Sequence, residues 1–567
     1  MSGRVSIRKN FAGFLGRDTR STDLTRPPEA AIEFSNADFL KDGTLTNRTG
    51  GKILASDAQF LGVFNYAYSD QSTGETRQEI ISISDSLYKK RSNTLTITYT
   101  GSGNPVQLNI KLDASTATFK ATIVENTTTV LNYDLGTGLE TSPITLANLI
   151  TQINAISGFS ASASGITTIP AAFLPTSLYL DLANPPKTAT ITYYDWQTIN
   201  STVSTPFASY YAARGDSEFR HASAINVQDC LFIATGKEYL HKFDGQTVYR
   251  VGAPEPTAAP TVATAAGALA GTYRYISTHI QYDNQGNIVE GTESDQSANI
   301  TPATNSINVT VSNVQAGSGY NTNCALFAAN AAVAPVSGLV TLTVQNTPHT
   351  MKAGDTAYFY NRALSQYKTY TVSSVTTTTL VLVSTDTITT NNNDVCSNNL
   401  RTAIYRTKNG GIDFFLVAEI PNNSFAATQV YNDNAADTAL GAQYLYPEQD
   451  HDALAVKPNF VVVHQGVVVV SGILNEPNTV YYSSGDGVEY FPLASNSFDI
   501  PSTTYGSVTG IGSLQDHLLV GKRNSLYAAS GDLAEGAFRV EKISEGRLGI
   551  ASHNTICDMG RGLVYLS

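Results

Sequence analysis

One tryptophan, three methionines and four cysteines are spread over 567 residues, and charged side chains make up only 14% of the chain. An ordinary soluble domain carries about 25% charge. A disordered chain is excluded, because it would pair high net charge with few aromatics. Thr, Ser, Asn, Gly and Tyr fill the gap, and thirty tyrosines suit half-buried pleated surfaces. The composition predicts a rigid β-protein with an uncharged polar surface. The cysteines, Cys230, Cys324, Cys396 and Cys557, lie far apart without CxxC spacing, so there is no zinc or redox signature. Cys230 and Cys557 sit in apolar strand-like runs and are expected to be buried free thiols. No disulfide framework is implied, which suits assembly in a reducing cytoplasm. No run approaches the ~18 apolar residues of a membrane-spanning helix. No apolar stretch follows the basic N-terminal residues, so no signal peptide is expected.

Catalytic motifs are equally scarce. There is no HExxH, no G-x-S-x-G elbow and no GxxxxGK phosphate loop. The eight histidines are scattered, and His464, in Val461-Val462-Val463-His464-Gln465-Gly466, reads as structural at a strand end. Asp283-Asn284-Gln285-Gly286-Asn287 places oxygen ligands at alternate positions, as a calcium loop does. It lacks the Glu at position twelve, and a hairpin turn is the stronger reading. Arg214-Gly215-Asp216-Ser217 spells an adhesion tripeptide, but any given tripeptide arises by chance in roughly one chain in fourteen of this length. The sequons at Asn126 and Asn308 carry no weight in a cytosolic product. The sequence therefore predicts no catalytic residues, no metal and no cofactor: the chain is not expected to be an enzyme.

The formal net charge is −12. Sequence-specific DNA binding needs a basic face, and the balance counts against it. An acidic wall is compatible with a conduit that must not grip DNA. The charge is uneven, because residues 1–26 hold Arg4, Arg8, Lys9, Arg17, Arg20 and Arg26 against Asp18 and Asp23. Such an arm either reaches onto a partner or is a frayed, solvated terminus.

A length of 567 residues predicts roughly three to five domains. A hairpin recurs along the chain, with an apolar strand, a short Gly, Ser or Asp turn, and a second strand with Tyr and a polar outer face. Copies run from Glu79 to Lys89, Leu231 to Gly245, Val467 to Gly487 and His517 to Gly531, and a last one begins at Gly562. This is the building unit of a propeller blade, and single hairpins must stack to be stable. Separate sandwiches made of unrelated hairpins are the alternative. Uneven spacing predicts whole domains inserted into the ring. The expected division is 1–50, an N-terminal arm and first propeller elements; 51–91, propeller hairpins; 92–205, an inserted β-domain; 206–256, a blade; and 449–567, further blades. Within 92–205, Ser142 to Ile156 has helical spacing. Residues 257–335 and 396–448 resemble a fibronectin type III-like sandwich, through Gly271-Thr272-Tyr273-Arg274-Tyr275 and Thr402-Ala403-Ile404-Tyr405-Arg406-Thr407. Residues 336–395 form a small β insertion between them. The fold expected is all-β, an interrupted β-propeller core with inserted β-sandwich domains. The chain stops inside an apolar strand, Tyr565-Leu566-Ser567, which predicts a longer gene product or a neighbouring segment that completes the sheet.

The first fifty residues carry a distinctive order. A basic arm (Arg4-Val5-Ser6-Ile7-Arg8-Lys9-Asn10) leads to Glu29-Ala30-Ala31-Ile32-Glu33-Phe34-Ser35-Asn36. The turn Gly43-Thr44-Leu45-Thr46-Asn47-Arg48-Thr49-Gly50 follows. This order resembles the start of the tail nozzle (tail tubular B) proteins of short-tailed bacteriophages. The resemblance covers the first hundred residues best, and the hairpins at 229–252 and 460–567 reasonably. It implies a homohexameric ring in the virion tail, assembled in the host cytoplasm. The ring forms the distal tube below a tail adaptor ring, docks tail fibres, and passes genomic DNA without sequence-specific binding. By the same resemblance, Arg4, Arg8, Lys9, Asn10 and Arg48 are fold-closing and assembly residues. The long insertions depart from shorter family members and leave their own role open.

A second reading is a host-recognition tail protein whose sandwiches bind glycan on the host outer surface. Tyr193-Tyr194-Asp195-Trp196 is its local candidate, set against plain cross-strand aromatic packing. A third is a polysaccharide-degrading enzyme, which needs a carboxylate pair about 5–10 Å apart. Tail proteins that cleave polysaccharide usually use a β-helix, and no short, regular coil repeat appears.

Overall fold

The computed structural model describes residues 62–567 apart from 70–74, 102–105, 114–115, 117, 126, 138–141, 175–179, 182–187, 202–204, 214–221, 346–348, 445–450, 502–505, 546–547 and 559–561; before residue 62 it gives only the backbone of four two- or three-residue strands. The described chain is all-β, with one nine-residue helix, Leu146–Asn154, and one five-residue helix, Ala208–Ala212. It divides into two compact units, residues 91–196 and residues 62–90 with 197–567.

The smaller unit is built on the meander Val106–Asp113, Thr118–Glu125 and Thr128–Gly136. Its apolar core takes in Leu95, Ile97, Ile123, Leu135 and Ile191. The helix covers this core with Leu146, Leu149 and Ile153, spaced for one helical face. It starts at Thr145, whose hydroxyl accepts from the Asn148 amide while the Asn148 side chain accepts from the Thr145 amide. This capping box uses Asn where Glu or Gln is usual, and it places the helix start three residues inside the expected Ser142.

The larger unit contains a series of antiparallel sheets that pack face on face. The first holds Gly62–Ser69, Thr76–Ile83 and the start of Leu87–Tyr99. The second holds the meander Ser223–Val227, Cys230–Ala234, His241–Phe243 and Thr247–Arg250, with Asn200–Ser201 added parallel to its last strand. The third holds Phe460–His464, Val467–Ser471, Thr479–Tyr482 and Ser497–Asp499. The fourth holds Val508–Leu514, His517–Lys522, Ser525–Asp532 and Ala537–Glu545. The two-stranded pair Cys557–Asp558 and Leu563–Val564 lies last.

Each inner sheet buries both faces, so its central strands read as continuous apolar runs rather than alternation. Along Cys230–Ala234, Leu231 and Ile233 pack on the first sheet with Tyr66, Ile81 and Ile83. Cys230, Phe232 and Ala234 pack on the third with Val461, Val468 and Val470. Val467 and Val469 then meet Ile511, Leu518 and Val520 of the fourth. The second strands of the hairpins were expected to have a polar outer face; Ser525–Asp532 is instead buried over its first five residues, because a further layer with Ile550 and Leu563 covers its other side. Neighbouring sheets approach closest at their first strands, Ser223–Val227 to Phe460–His464 to Val508–Leu514.

The first hairpins of the second, third and fourth sheets share a turn. Gln228-Asp229, Gln465-Gly466 and Gln515-Asp516 each join the first strand to the second, with Gln at φ of 48°, 49° and 48°. Two-residue hairpins need positive φ to match strand twist, and a non-glycine residue there is uncommon.

Residues 261–433 add two further bodies. A sandwich of seven strands sets Thr261–Leu269, Asn305–Ser312 and Thr428–Asp433 against Ile288–Glu290, Tyr275–Tyr282, Leu400–Thr407 and Phe414–Pro421. Tyr275, Ile307, Val309 and Ile404 form its core. Between Asn305–Ser312 and Leu400–Thr407 lies a six-stranded sheet from Cys324–Phe327 to Leu339–Thr343. It closes on itself through a Phe327–Val344 bridge and encloses Leu342, Phe359, Val372 and Leu380. This small barrel draws strands from both sides of the expected 336–395 insertion.

Candidate functional site

Two places in the larger unit gather polar chemistry, one buried and one open. The buried one centres on Lys242, in the middle of His241–Phe243 and fully enclosed. Its Nζ lies 2.6 Å from Glu489 Oε1 and 3.3 Å from Asp283 Oδ2. Asp283 Oδ2 also accepts from Cys230 Sγ at 3.4 Å and Asn287 Nδ2 at 2.8 Å, and its Oδ1 accepts the amides of Gln285 and Asn287. Glu489 Oε2 accepts the Gly252 amide at 2.8 Å. Asp244 lies alongside, accepting from the Gln246, Thr247 and Asn284 amides, Asn284 Nδ2 and the Tyr249 hydroxyl.

Burial pushes the Asp244 carboxyl up, and its hydrogen bonds pull it partly back. Burial also raises Asp283, but the Lys242 ammonium and the Asn287 bonds outweigh this and hold it below the usual range. For Lys242, burial disfavours the charge while Glu489, Cys230 and Asp283 favour it more strongly, so the ammonium is retained. The cluster ties the second sheet, the connection between Thr479–Tyr482 and Ser497–Asp499, and the turn 283–287 together. Every charge in it is enclosed, so its chemistry is structural.

The open site is a cleft of about 400 Å³ at the seam between barrel and sandwich. Tyr358, Tyr360 and Tyr367 come from the barrel strands Thr356–Asn361 and Gln366–Val375. Alternation sends Ala357 and Phe359 into the barrel core and turns the tyrosines outward. Tyr360 and Tyr367 are direct cross-strand partners, packed edge to face with centroids 5.1 Å apart. Tyr431 arrives from the sandwich strand Thr428–Asp433, and Tyr431 and Tyr367 both lean on the sandwich core. Arg362 lies beside them, bound by both Asp394 oxygens at 2.8 and 2.6 Å. Gln429 Nε2 donates to the Pro421 carbonyl at 3.0 Å. Burial, then the neighbouring rings, pushes the Tyr367 hydroxyl up, so it is a neutral donor at physiological pH. The seam is held by Arg401, whose guanidinium lies 3.8 Å from the Tyr282 centroid and 3.6 Å from that of Tyr358, with Glu419 at 3.1 Å.

The residues singled out from sequence fare differently. Arg4, Arg8, Lys9, Asn10 and Arg48 lie outside the described residues, as does Arg214-Gly215-Asp216-Ser217. Tyr193 and Tyr194 stand on opposite faces of Thr188–Thr198: Tyr193 is buried in the small unit's core and donates to the Ile166 carbonyl at 3.1 Å, while Tyr194 is 37% exposed. They do not form one platform. Asp283 to Asn287 is a closed turn whose carboxylate is consumed by Lys242 and backbone amides. His464 is buried and bonds Ser513 Oγ at 2.9 Å. Cys230 is buried as expected, but Cys557 is exposed, because its strand pairs only with Leu563–Val564 at the end of the series. Among the described residues, no group of three or more His, Cys, Asp or Glu side chains is placed to hold a metal ion. The tyrosine cleft escaped sequence reading because Tyr431 stands far along the chain from Tyr360. The alternating Tyr358-Phe359-Tyr360 was the only local signal.

No protein-family model and no curated protein matches the sequence. Among solved structures the chain is similar to phage phi92 endosialidase, at 11% identity over 57% of this chain and 54% of that one, with a TM-score of 0.12. The match thus spans about half the length of that protein.

Proposed function

We propose that the chain is a structural, non-enzymatic subunit of the tail of a short-tailed phage. Copies of it form the distal tube through which the genome leaves, below an adaptor ring and in contact with fibres. The observation that carries the reading is the series of four-stranded meanders that share a Gln-Asp or Gln-Gly first turn and converge at their first strands. This arrangement supports reading the sheets as blades of an interrupted β-propeller, with residues 91–196 and residues 261–433 as insertions in the chain between blades. The N-terminal resemblance to the nozzle family supplies the assembly. A net charge of −12 suits a wall past which DNA slides without gripping.

Native mass spectrometry of the purified full chain, alone and with its adaptor, tests the reading. Six copies are expected. A trimer would favour a receptor-binding spike, and a monomer under all conditions would remove the tube.

A further inference from the structure

We propose that the cleft between barrel and sandwich is a saccharide subsite that takes a neutral pyranoside. Three rings, Tyr360, Tyr367 and Tyr431, line one depression of about 400 Å³, within the ~300–1,000 Å³ of small-molecule sites. Two of them meet edge to face, so the cleft offers ring faces at different inclinations. A pyranose presents the complementary surface, with apolar C–H faces above and below a girdle of hydroxyls.

The polar groups fit that girdle. Tyrosine hydroxyls nearby are used up: Tyr358 donates to the Glu419 carbonyl at 3.1 Å, and Tyr370 bonds Asn361 and Asp386. The hydroxyls of Tyr360, Tyr367 and Tyr431 have no hydrogen-bond partner among the described residues. Gln429 uses only its Nε2, leaving Oε1 as an acceptor. None of these groups is shut away from solvent, so each can exchange a water for a ligand hydroxyl.

Charge decides the class. The one cation lining the cleft, Arg362, is neutralised by two bonds to Asp394. The cleft therefore offers no unpaired positive charge to a phosphate or carboxylate, and base stacking along a nucleic acid strand would lack the basic groove it requires. A seam clamped by Arg401 between two rings gives a preformed site, which lowers the cost of binding.

Saturation-transfer NMR on the full chain tests this, with methyl glucoside, galactoside, mannoside and N-acetylglucosaminide as probes and an eight-residue oligothymidylate as the competing class. At least one sugar is expected to bind with a Kd on the order of 1 mM, as about −0.3 kcal/mol per non-hydrogen atom gives for a ligand of this size. Tyr360→Ala and Tyr431→Ala are each expected to weaken it at least ~10-fold. Tyr431 leans on the core, so Tyr360→Phe, which keeps the ring and removes one hydroxyl, is included and is expected to weaken binding less than Tyr360→Ala. Tyr194→Ala, in the other unit, is expected to change nothing. No transfer to any sugar would overturn the proposal. So would transfer undiminished in the folded Tyr360→Ala chain, or oligothymidylate bound in preference to every sugar.

Discussion

Replacing Lys242 with Met is the sharpest perturbation of the large unit. Methionine nearly fills the same volume and removes only the ammonium. Asp283 and Glu489, 0% and 4% exposed, are then left as enclosed anions with Asp244 beside them. Breaking a buried pair by deleting one partner costs about 3–5 kcal/mol, most of it the uncompensated charge. The Gly252 amide reports the loss directly, because it donates to Glu489 Oε2. Hydrogen exchange at that amide follows the local opening equilibrium. At ~1.4 kcal/mol per tenfold change, its protection is expected to fall by roughly two to three and a half powers of ten. Adding Glu489→Gln, which keeps an acceptor for Gly252 and removes one anion, is expected to recover part of the loss. Protection at Gly252 within about threefold of wild type would refute the reasoning, as would a double variant less protected than the single one, because the lysine would then be a spectator.

Asp355 supplies a pH prediction. Burial pushes its carboxyl up to about 7, and its Oδ1 has no partner. The folded state holds that proton more tightly than the unfolded chain, so this group makes stability fall as pH rises from about 4 to about 7, by ~4 kcal/mol at most. His241 and His553, lowered by burial to about 4, act in the opposite sense: their contribution is complete above about 6.5 and is lost as pH falls towards 4. Asp355→Asn is therefore expected to raise the urea midpoint at pH 8 and to leave a profile that climbs between pH 4 and 6.5. Arg401→Met removes two ring contacts and an ion pair, and is expected to cost ~1–3 kcal/mol. Arg401→Lys should recover less than half, since an ammonium lacks the planar stack, and limited proteolysis at the barrel seam reads both. A Cβ at Gly521 would overlap Ile550, so Gly521→Ala is expected to cost ~1–3 kcal/mol; a thermal melt unchanged from wild type would contradict this.

Hairpins were the most legible part of the fold. Strand, turn and strand lie in one short window, and the segments read around Ile81, Phe232, Val469 and Val520 all pair as antiparallel neighbours. The stacking was also within reach, because a run such as Val467-Val468-Val469-Val470 has no polar face and must be covered on both sides. What connects distant windows was not legible. Lys242 meets Glu489 across 247 positions, and nothing local distinguishes either from a surface charge. Of the cluster Tyr193-Tyr194-Asp195-Trp196 chosen from sequence, Tyr193 could never stand with Tyr194 and Trp196, because neighbours on a strand face opposite ways. Cys557 misled because an apolar window looks the same with or without a layer over it.

The most direct test of the account is a side-chain-resolution reconstruction of the assembled full chain by single-particle electron microscopy. The strands at Ser223, Phe460 and Val508 should radiate from one local axis, in each of six copies set around an open channel. Parallel layers with no shared axis, or a closed assembly without a lumen, would contradict it.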